Sequence, residues 1–194
     1  MKIEKMRSLL REALPEKRFQ HSVAVYESAL ELAKAHKVGK EAMEKIAVAS
    51  LLHDCGREVP TKDSVAKAKE LGLAPDPVEC NQPILLHSKL GVIYAQKKYG
   101  VKDEEILDAI AFHTTGKADM SEVAMIVFLA DMIEPGRAFP GVEELRKLAV
   151  KDLEAAMLAA YANTTGYLLE NGLLIHPRCI EGYNQLLLKH MAKV

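Results

Sequence analysis

The chain has 194 residues and a formal net charge of -1, from 26 Lys and Arg against 27 Asp and Glu; this near-balance argues against a broad electrostatic grip on nucleic acid and leaves room only for a local basic pocket. About half of it, 49%, is hydrophobic, enough for a sizeable core at this length. No run approaches ~18 uncharged apolar residues, so no membrane span is expected; the N-terminal stretch lacks the apolar segment of a signal peptide, and three unpatterned cysteines (Cys55, Cys80, Cys179) fit a reducing cytoplasm.

In chain order, almost every segment reads at helical period. After a first segment that breaks at Pro15, RFQHSVAVYESALELAKAH carries Phe19, Val23, Tyr26, Leu30 and Ala33 at spacings of four and three, an apolar stripe with His21 at its border. GKEAMEKIAVASLLHD is an apolar helix that ends in His53-Asp54 and stops near Gly56. SVAKAKELG is a short helix closed by Gly72, after which Pro75 and Pro77 interrupt the chain. QPILLHSKLGVIYAQKKYG opens on a proline suited to a first helical turn and ends at Gly100. KDEEILDAIAFHTTG starts with acids, favourable at a helix N-terminus, and ends near Gly116. SEVAMIVFLADMIEPGR is apolar enough to be central and stops before Pro135. The stretch from Gly141 to Gly172 reads as one bent helix or two consecutive ones, and a last helix follows Pro177. No alternating strand pattern, repeat or linker intervenes, so the expectation is an all-α fold of roughly eight to ten helices in a single domain over 1–194.

The histidines and aspartates are distributed unusually. His21, His53-Asp54, His87, His113 and Asp131 put a metal-ligand type of residue at or near an inward position of five different helices. A lone histidine is more often an ordinary core or surface residue. Asp131 is harder to explain that way, because an unpaired carboxylate is costly to bury. Asp54 places a negative charge in the last turn of a helix, against the dipole. A cation resolves both problems: a metal ion, or Arg57 or Arg137 as an ion-pair partner. Imidazole and carboxylate together suit Fe, Mn, Co, Ni or Zn, and match Ca or Mg alone poorly. Cys55 is expected to pack rather than ligate, and His36 and His190, outside this pattern, are expected on the surface.

His21, then His53-Asp54, then Asp131 matches the H…HD…D signature of HD-domain phosphohydrolases. With HSKLGVIYAQKKYG, HTTGKADMS, ADMIEPGR and IHP, the chain resembles the YqeK family of bacterial symmetrical bis(5′-nucleosyl)-tetraphosphatases over roughly residues 3–190. The resemblance implies an HD-domain helical bundle, with the HD core at about 16–135 and the C-terminal helices completing a nucleotide pocket. It implies metal-dependent cleavage of diadenosine tetraphosphate at its central anhydride, giving two ADP. It makes His21, His53, Asp54 and Asp131 the metal ligands, with iron the expected ion. His87 and His113 become the other half of the pocket, holding a second metal bridged by Asp54 or gripping phosphate, and with Asp54 they form the catalytic group. One of these imidazoles is then the expected proton donor. Substrate contacts are implied for His21, His87, His113, Thr114, Asp131, Arg137, Arg57, Ile175, His176 and Arg178.

Other readings remain open at this point. A guanosine tetraphosphate hydrolase of this class extends the motif to HDxxED, but Arg57 and Glu58 occupy those places here. A small-molecule nucleotidase and a nucleotide-sensing module without turnover are the remaining alternatives. The expected partners are a dinucleoside polyphosphate and its ADP product, with neither nucleic acid nor membrane; a homodimer stays open.

Overall fold

The computed structural model describes residues 1–192, in which eleven α-helices and no strand occur. They are α1 (Ile3–Ala13), α2 (Glu16–Ala35), α3 (Lys40–Leu52), α4 (Ser64–Glu70), α5 (Pro77–Asn81), α6 (Leu86–Tyr99), α7 (Glu104–Phe112), α8 (Glu122–Ile133), α9 (Val142–Lys151), α10 (Leu153–Glu170) and α11 (Pro177–Met191). Ten of these have seven or more residues, the top of the expected range. The eleventh, α5, lies where two prolines read as an interruption. Pro77 instead starts the helix, and Asp76 caps it: Asp76 Oδ1 accepts from Glu79 N at 2.9 Å while Glu79 Oε2 accepts from Asp76 N at 2.9 Å. None of the helices is long and apolar enough to cross a membrane.

The most apolar helix, α8, is central, and packs against α2, α3, α7 and α10. Its residues Val123, Ala124, Ile126, Val127, Phe128, Leu129 and Ala130 are buried almost all the way round. Ser121 starts it by accepting from Ala124 N at 3.2 Å. The stretch from Gly141 onward resolves into two helices rather than one bent helix. Asp152 leaves helical geometry, with φ -153° and ψ 108°, and its carboxylate caps α10 through Ala155 N at 3.0 Å. His36 and His190 are half-buried rather than on the surface. The His36 Nε2 lies 2.7 Å from the Ala149 carbonyl, which ties the end of α2 to α9.

One close approach sets the site. A 3-10 turn, Cys55–Glu58, follows α3 and presses against α6. A Cβ on Gly56 would sit 2.1 Å from the His87 carbonyl oxygen and 2.6 Å from the Gly91 nitrogen, so only glycine admits this contact. Cys55 is buried there as packing, its Sγ 3.3 Å from the Gly91 carbonyl. The contact brings the start of α6, with His87, onto the end of α3, with His53 and Asp54.

Candidate functional site

His21 on α2, His53 and Asp54 after α3, His87 on α6, His113 after α7 and Asp131 on α8 converge on one polar cluster inside the helical core. His53, Asp54, His87 and His113 are buried, and the side chains of His21 and Asp131 are 13% and 16% exposed. Asp54 is the hub. Its Oδ2 lies 4.0 Å from His21 Nε2 and 3.9 Å from His53 Nε2; its Oδ1 lies 3.3 Å from His87 Nε2 and 3.9 Å from His113 Nε2. One carboxylate thus turns one oxygen toward each of two histidine pairs. Asp131 closes the first pair, with Oδ1 3.0 Å from His21 Nε2.

The second nitrogens settle which atoms are left for chemistry. His53 Nδ1 meets the Ser50 carbonyl at 2.7 Å, His113 Nδ1 meets that of Ile110 at 2.8 Å, and His87 Nδ1 meets that of Ile84. A carbonyl only accepts, so each Nδ1 carries the proton and each Nε2 keeps its lone pair in the neutral ring. Two of these lone pairs face each other, with His87 Nε2 and His113 Nε2 2.9 Å apart, while His53 Nε2 lies 3.4 Å from the His21 Nε2 that donates to Asp131. Among the described residues only the Thr114 hydroxyl, 3.1 Å from His113 Nε2 and 3.2 Å from His87 Nε2, has a proton to offer to the second pair, and it can satisfy just one of them. A surplus of converging lone pairs with buried carboxylates is a donor set that fits a metal cation, and carbonyl-oriented imidazoles are the usual supports of such ligands.

Three guanidinium groups rim the cluster. Arg57 Nε donates to Asp54 Oδ1 at 3.0 Å and Arg18 Nη1 to Asp54 Oδ2 at 3.3 Å. Arg137 pairs with the Asp131 carboxylate and also donates from Nε to the Asp131 carbonyl at 2.7 Å. Both arginines weighed as ion-pair partners therefore do pair with these aspartates, but this leaves the histidine lone pairs unanswered. Burial alone would raise the Asp54 carboxyl; His53, His87, Arg57 and His113 outweigh it and hold Asp54 far below the carboxylate range. Asp131 is likewise held down against burial, by its bond from His21 and by the neighbouring His53, Arg137 and His113. Burial opposes a proton on His21 too, but Asp131 and Asp54 raise its pKa overall. Burial, then the neighbouring His113, lowers His87 to about 3; burial, then His53, lowers His113 to about 4. Both rings are thereby held in the neutral form near pH 7.

A cleft of about 660 Å³ opens from this cluster. His113, Thr114, Asp131 and Arg137 form its polar end, and Phe128, Met132, Phe139 and Pro140 its apolar wall, facing α10. Ile175, His176 and Arg178 do not line it. His176 caps α11 and lies 2.9 Å, through Nε2, from Asp76 Oδ2; Arg178 sits over the Phe112 ring at 5.1 Å. Two residues of the site escaped the sequence reading. Arg18 stands one turn before His21 on the same helix, which was a usable signal. Glu134 is buried, with Oε1 3.3 Å from His21 Nδ1; next to Pro135 it reads only as a helix end.

A family model described as HD domain matches residues 18–136. The chain belongs to the HD domain family. It is similar to a protein from Halalkalibacterium halodurans, 37% identical over 93% of this chain and 95% of that one, and to one from Bacillus subtilis, 35% identical over 96% and 98%. Both are named symmetrical bis(5′-nucleosyl)-tetraphosphatase. The crystal structure of a predicted HD superfamily hydrolase involved in NAD metabolism, from Clostridium acetobutylicum, superimposes with a TM-score of 0.89 at 36% identity, covering 97% of this chain and 98% of that one. The expected HD helical bundle is therefore the fold observed.

Proposed function

We propose that this protein is a metal-dependent symmetrical bis(5′-nucleosyl)-tetraphosphatase that hydrolyses diadenosine tetraphosphate to two ADP. The observation that carries the reading is the Asp54 hub, one carboxylate between two histidine pairs, at the polar end of a cleft of nucleotide size. The names of relatives that align over nearly their whole length support it.

His21, His53, Asp54 and Asp131 would hold a metal ion, and Asp54, His87 and His113 fit a second; with this mixed donor set we assign iron to the first. A bound ion of this kind supplies Lewis-acid polarisation of a phosphoryl oxygen and brings the pKa of a water toward about 7. The protein supplies position and charge. Arg137 and Arg57, both partly exposed beside the carboxylates, present fixed forks of donors to phosphate. The Thr114 hydroxyl and the neutral His87 and His113 rings orient the reacting groups through hydrogen bonds. Phe128, Met132, Phe139 and Pro140 offer an apolar seat for a base or ribose and keep water from that side. One water adds across the central anhydride: a P–O bond breaks, the hydroxyl joins one phosphorus, and the departing ADP takes up the remaining proton. The free thiols Cys55, Cys80 and Cys179 fit a cytoplasmic setting.

The test is regiochemical. Early in the reaction, chromatography of the products of diadenosine tetraphosphate is expected to resolve ADP as the main nucleotide. Equal early amounts of AMP and ATP would overturn the symmetrical assignment. No consumption of this substrate by iron- or manganese-loaded protein would overturn the activity itself.

A further inference from the structure

His21 differs from the other three imidazoles of the cluster in what holds its second nitrogen. His53 and His113 stand at the ends of α3 and α7, where carbonyls of the last turn have no helical donor, and His87, at the start of α6, uses the Ile84 carbonyl in the turn before it. His21 lies inside α2, where neighbouring carbonyls accept the helix's own N–H groups. Among the described residues no backbone carbonyl orients it. Its partner comes from another helix end: Glu134 Oε1 lies 3.3 Å from His21 Nδ1. An ionised carboxylate only accepts, so Nδ1 keeps its proton, and in the neutral ring Nε2 is the atom left to face a cation. That nitrogen is the one turned toward Asp131 and Asp54.

The turn after α8 is built to keep Glu134 there. Its Oε2 accepts from Gly136 N. A Cβ on Gly136 would lie 3.0 Å from each carboxylate oxygen, so the group has no slack on that side. Arg146 of α9 fixes the turn itself. Its Nε donates to the Ile133 carbonyl at 2.8 Å, and its Nη2 to those of Glu134 and Arg137, both at 2.9 Å; the end of α8 leaves such carbonyls without helical partners. Glu134 is buried, and burying a carboxylate is costly. The turn alone needs only an acceptor for one N–H, which a neutral amide supplies equally. What the carboxylate adds is a full negative charge behind the His21 ring.

We propose that Glu134 is a positioning residue for the metal site: it fixes the His21 ring with Nε2 toward the ion and, as an anion, makes this imidazole the strongest nitrogen donor of the four. A partner behind a ligand imidazole sets its tautomer and raises its basicity, and a charged acceptor does so more than a carbonyl. Glu134 Oε1 also lies 3.8 Å from Arg137 Nε. One turn, clamped by Arg146, therefore carries both the support for the ion and the guanidinium that faces phosphate. The inference rests on the metal site of the hydrolase reading, and on the Glu134 geometry for its own part.

The experiment compares wild type, Glu134→Gln, Glu134→Asp and Gly136→Ala. Co2+ affinity is measured by competition with a chelator, the ligand rings by proton NMR of the Co2+-loaded protein, and stability by thermal melting of the metal-free protein. Glu134→Gln keeps the size of the side chain and an acceptor for Gly136 N but removes the charge. It is expected to weaken Co2+ binding by roughly ten- to a hundredfold, as for other lost partners of ligand imidazoles. It should also move one of the exchangeable imidazole N–H signals shifted by the paramagnetic ion and leave the rest in place. Glu134→Asp retains the charge and should recover part of the affinity. Gly136→Ala pushes the carboxylate aside without removing it and should weaken binding in the same direction; it provides the test should the glutamine variant fold poorly. Unchanged affinity would overturn the proposal, and with a lowered melting temperature it would make Glu134 a brace for its turn. Weaker binding with unmoved N–H signals would overturn it too, by acting elsewhere than through His21, and so would wild type that binds no Co2+. If affinity falls as expected but wild type releases no ADP from diadenosine tetraphosphate, the hydrolase reading falls and the role of Glu134 stands.

Discussion

Two histidine–carboxylate clusters occur among the described residues, and proximity alone does not distinguish them. In the central one, Asp54, His87 and His113 bring ligand atoms within 4.8 Å of one another; Asp76, Glu79 and His176 do the same near the periphery. The peripheral cluster is closed. Asp76 and Glu79 cap each other's backbone nitrogens, Lys89 Nζ reaches Glu79 Oε2 at 2.7 Å, and His176 takes the Arg178 N–H on Nδ1 at 3.2 Å while facing Asp76 with Nε2. All three side chains there accept from a protein donor. In the central cluster three imidazoles have given their only proton to backbone carbonyls, and two of them, His87 and His113, point bare nitrogens at each other. The lesson is that a deficit of donors, rather than a gathering of ligand-type residues, marks a cation site.

The sharpest way to break this comparison is to remove one carboxylate from each cluster. Asp54→Ala should abolish metal binding and lower turnover by on the order of a thousandfold or more, with helical content intact by circular dichroism. Asp54→Ala protein that retains full metal content by elemental analysis would show that the hub is an ion-pair anchor only.

The next effect separates gripping from ligation at the central site. Arg137→Ala should keep the metal, because a guanidinium offers donors alone. It should lose on the order of 1.5–3 kcal/mol of transition-state stabilisation, roughly ten- to a hundredfold in kcat/KM, with lysine a partial substitute. Wild-type turnover in that variant would reduce Arg137 to a surface partner of Asp131.

A smaller effect should appear with pH in metal-free protein. His87 and His113, at about 3 and about 4, stay neutral in the fold while the same side chains in the unfolded chain protonate near 6.5. The unfolded state then binds more protons, so stability falls as pH drops below about 6.5, by on the order of 2 kcal/mol per imidazole at pH 5. The raised His21 offsets part of this, since it binds its proton more tightly in the fold. Denaturant unfolding at pH 7 and pH 5 should show the loss, and His113→Gln should reduce it; a pH-independent midpoint would mean that these rings are not buried neutral bases.

The smallest effect belongs to the peripheral cluster. Asp76→Ala removes a helix cap and the His176 contact, and should cost about 1 kcal/mol, a fall of roughly 2–4 °C in Tm at this length. Metal content and KM should be unchanged. Altered KM would tie the His176 segment to the substrate after all, as the family resemblance first implied.

Much of this was legible in the residues. The odd placement of Asp54 at a helix end and of Asp131 within an apolar run pointed to a cation, and the spread of His21, His53, His87, His113 and Asp131 over inward-facing positions named the cluster. Periodicity was less exact about which stripe is innermost: Val25 and Ala29 are fully buried on α2, while Tyr26 and Leu30 remain half-buried. The short α5 escaped because its start depends on a reciprocal cap between Asp76 and Glu79, too brief for any period to show.

What the sequence determined by itself was therefore the all-helical class, most of the helix ends, and the identity of the buried ligand-type residues, because local spacing and the cost of an unpaired charge act within a few residues of chain. Only the tertiary structure decided that Asp54 faces two histidine pairs, that Arg18 and Glu134 join them, and that His176 turns to Asp76 instead of the cleft. These depend on helices distant in sequence meeting at fixed depth and rotation, as when Gly56 lets α6 close on the end of α3, and no local pattern carries that geometry.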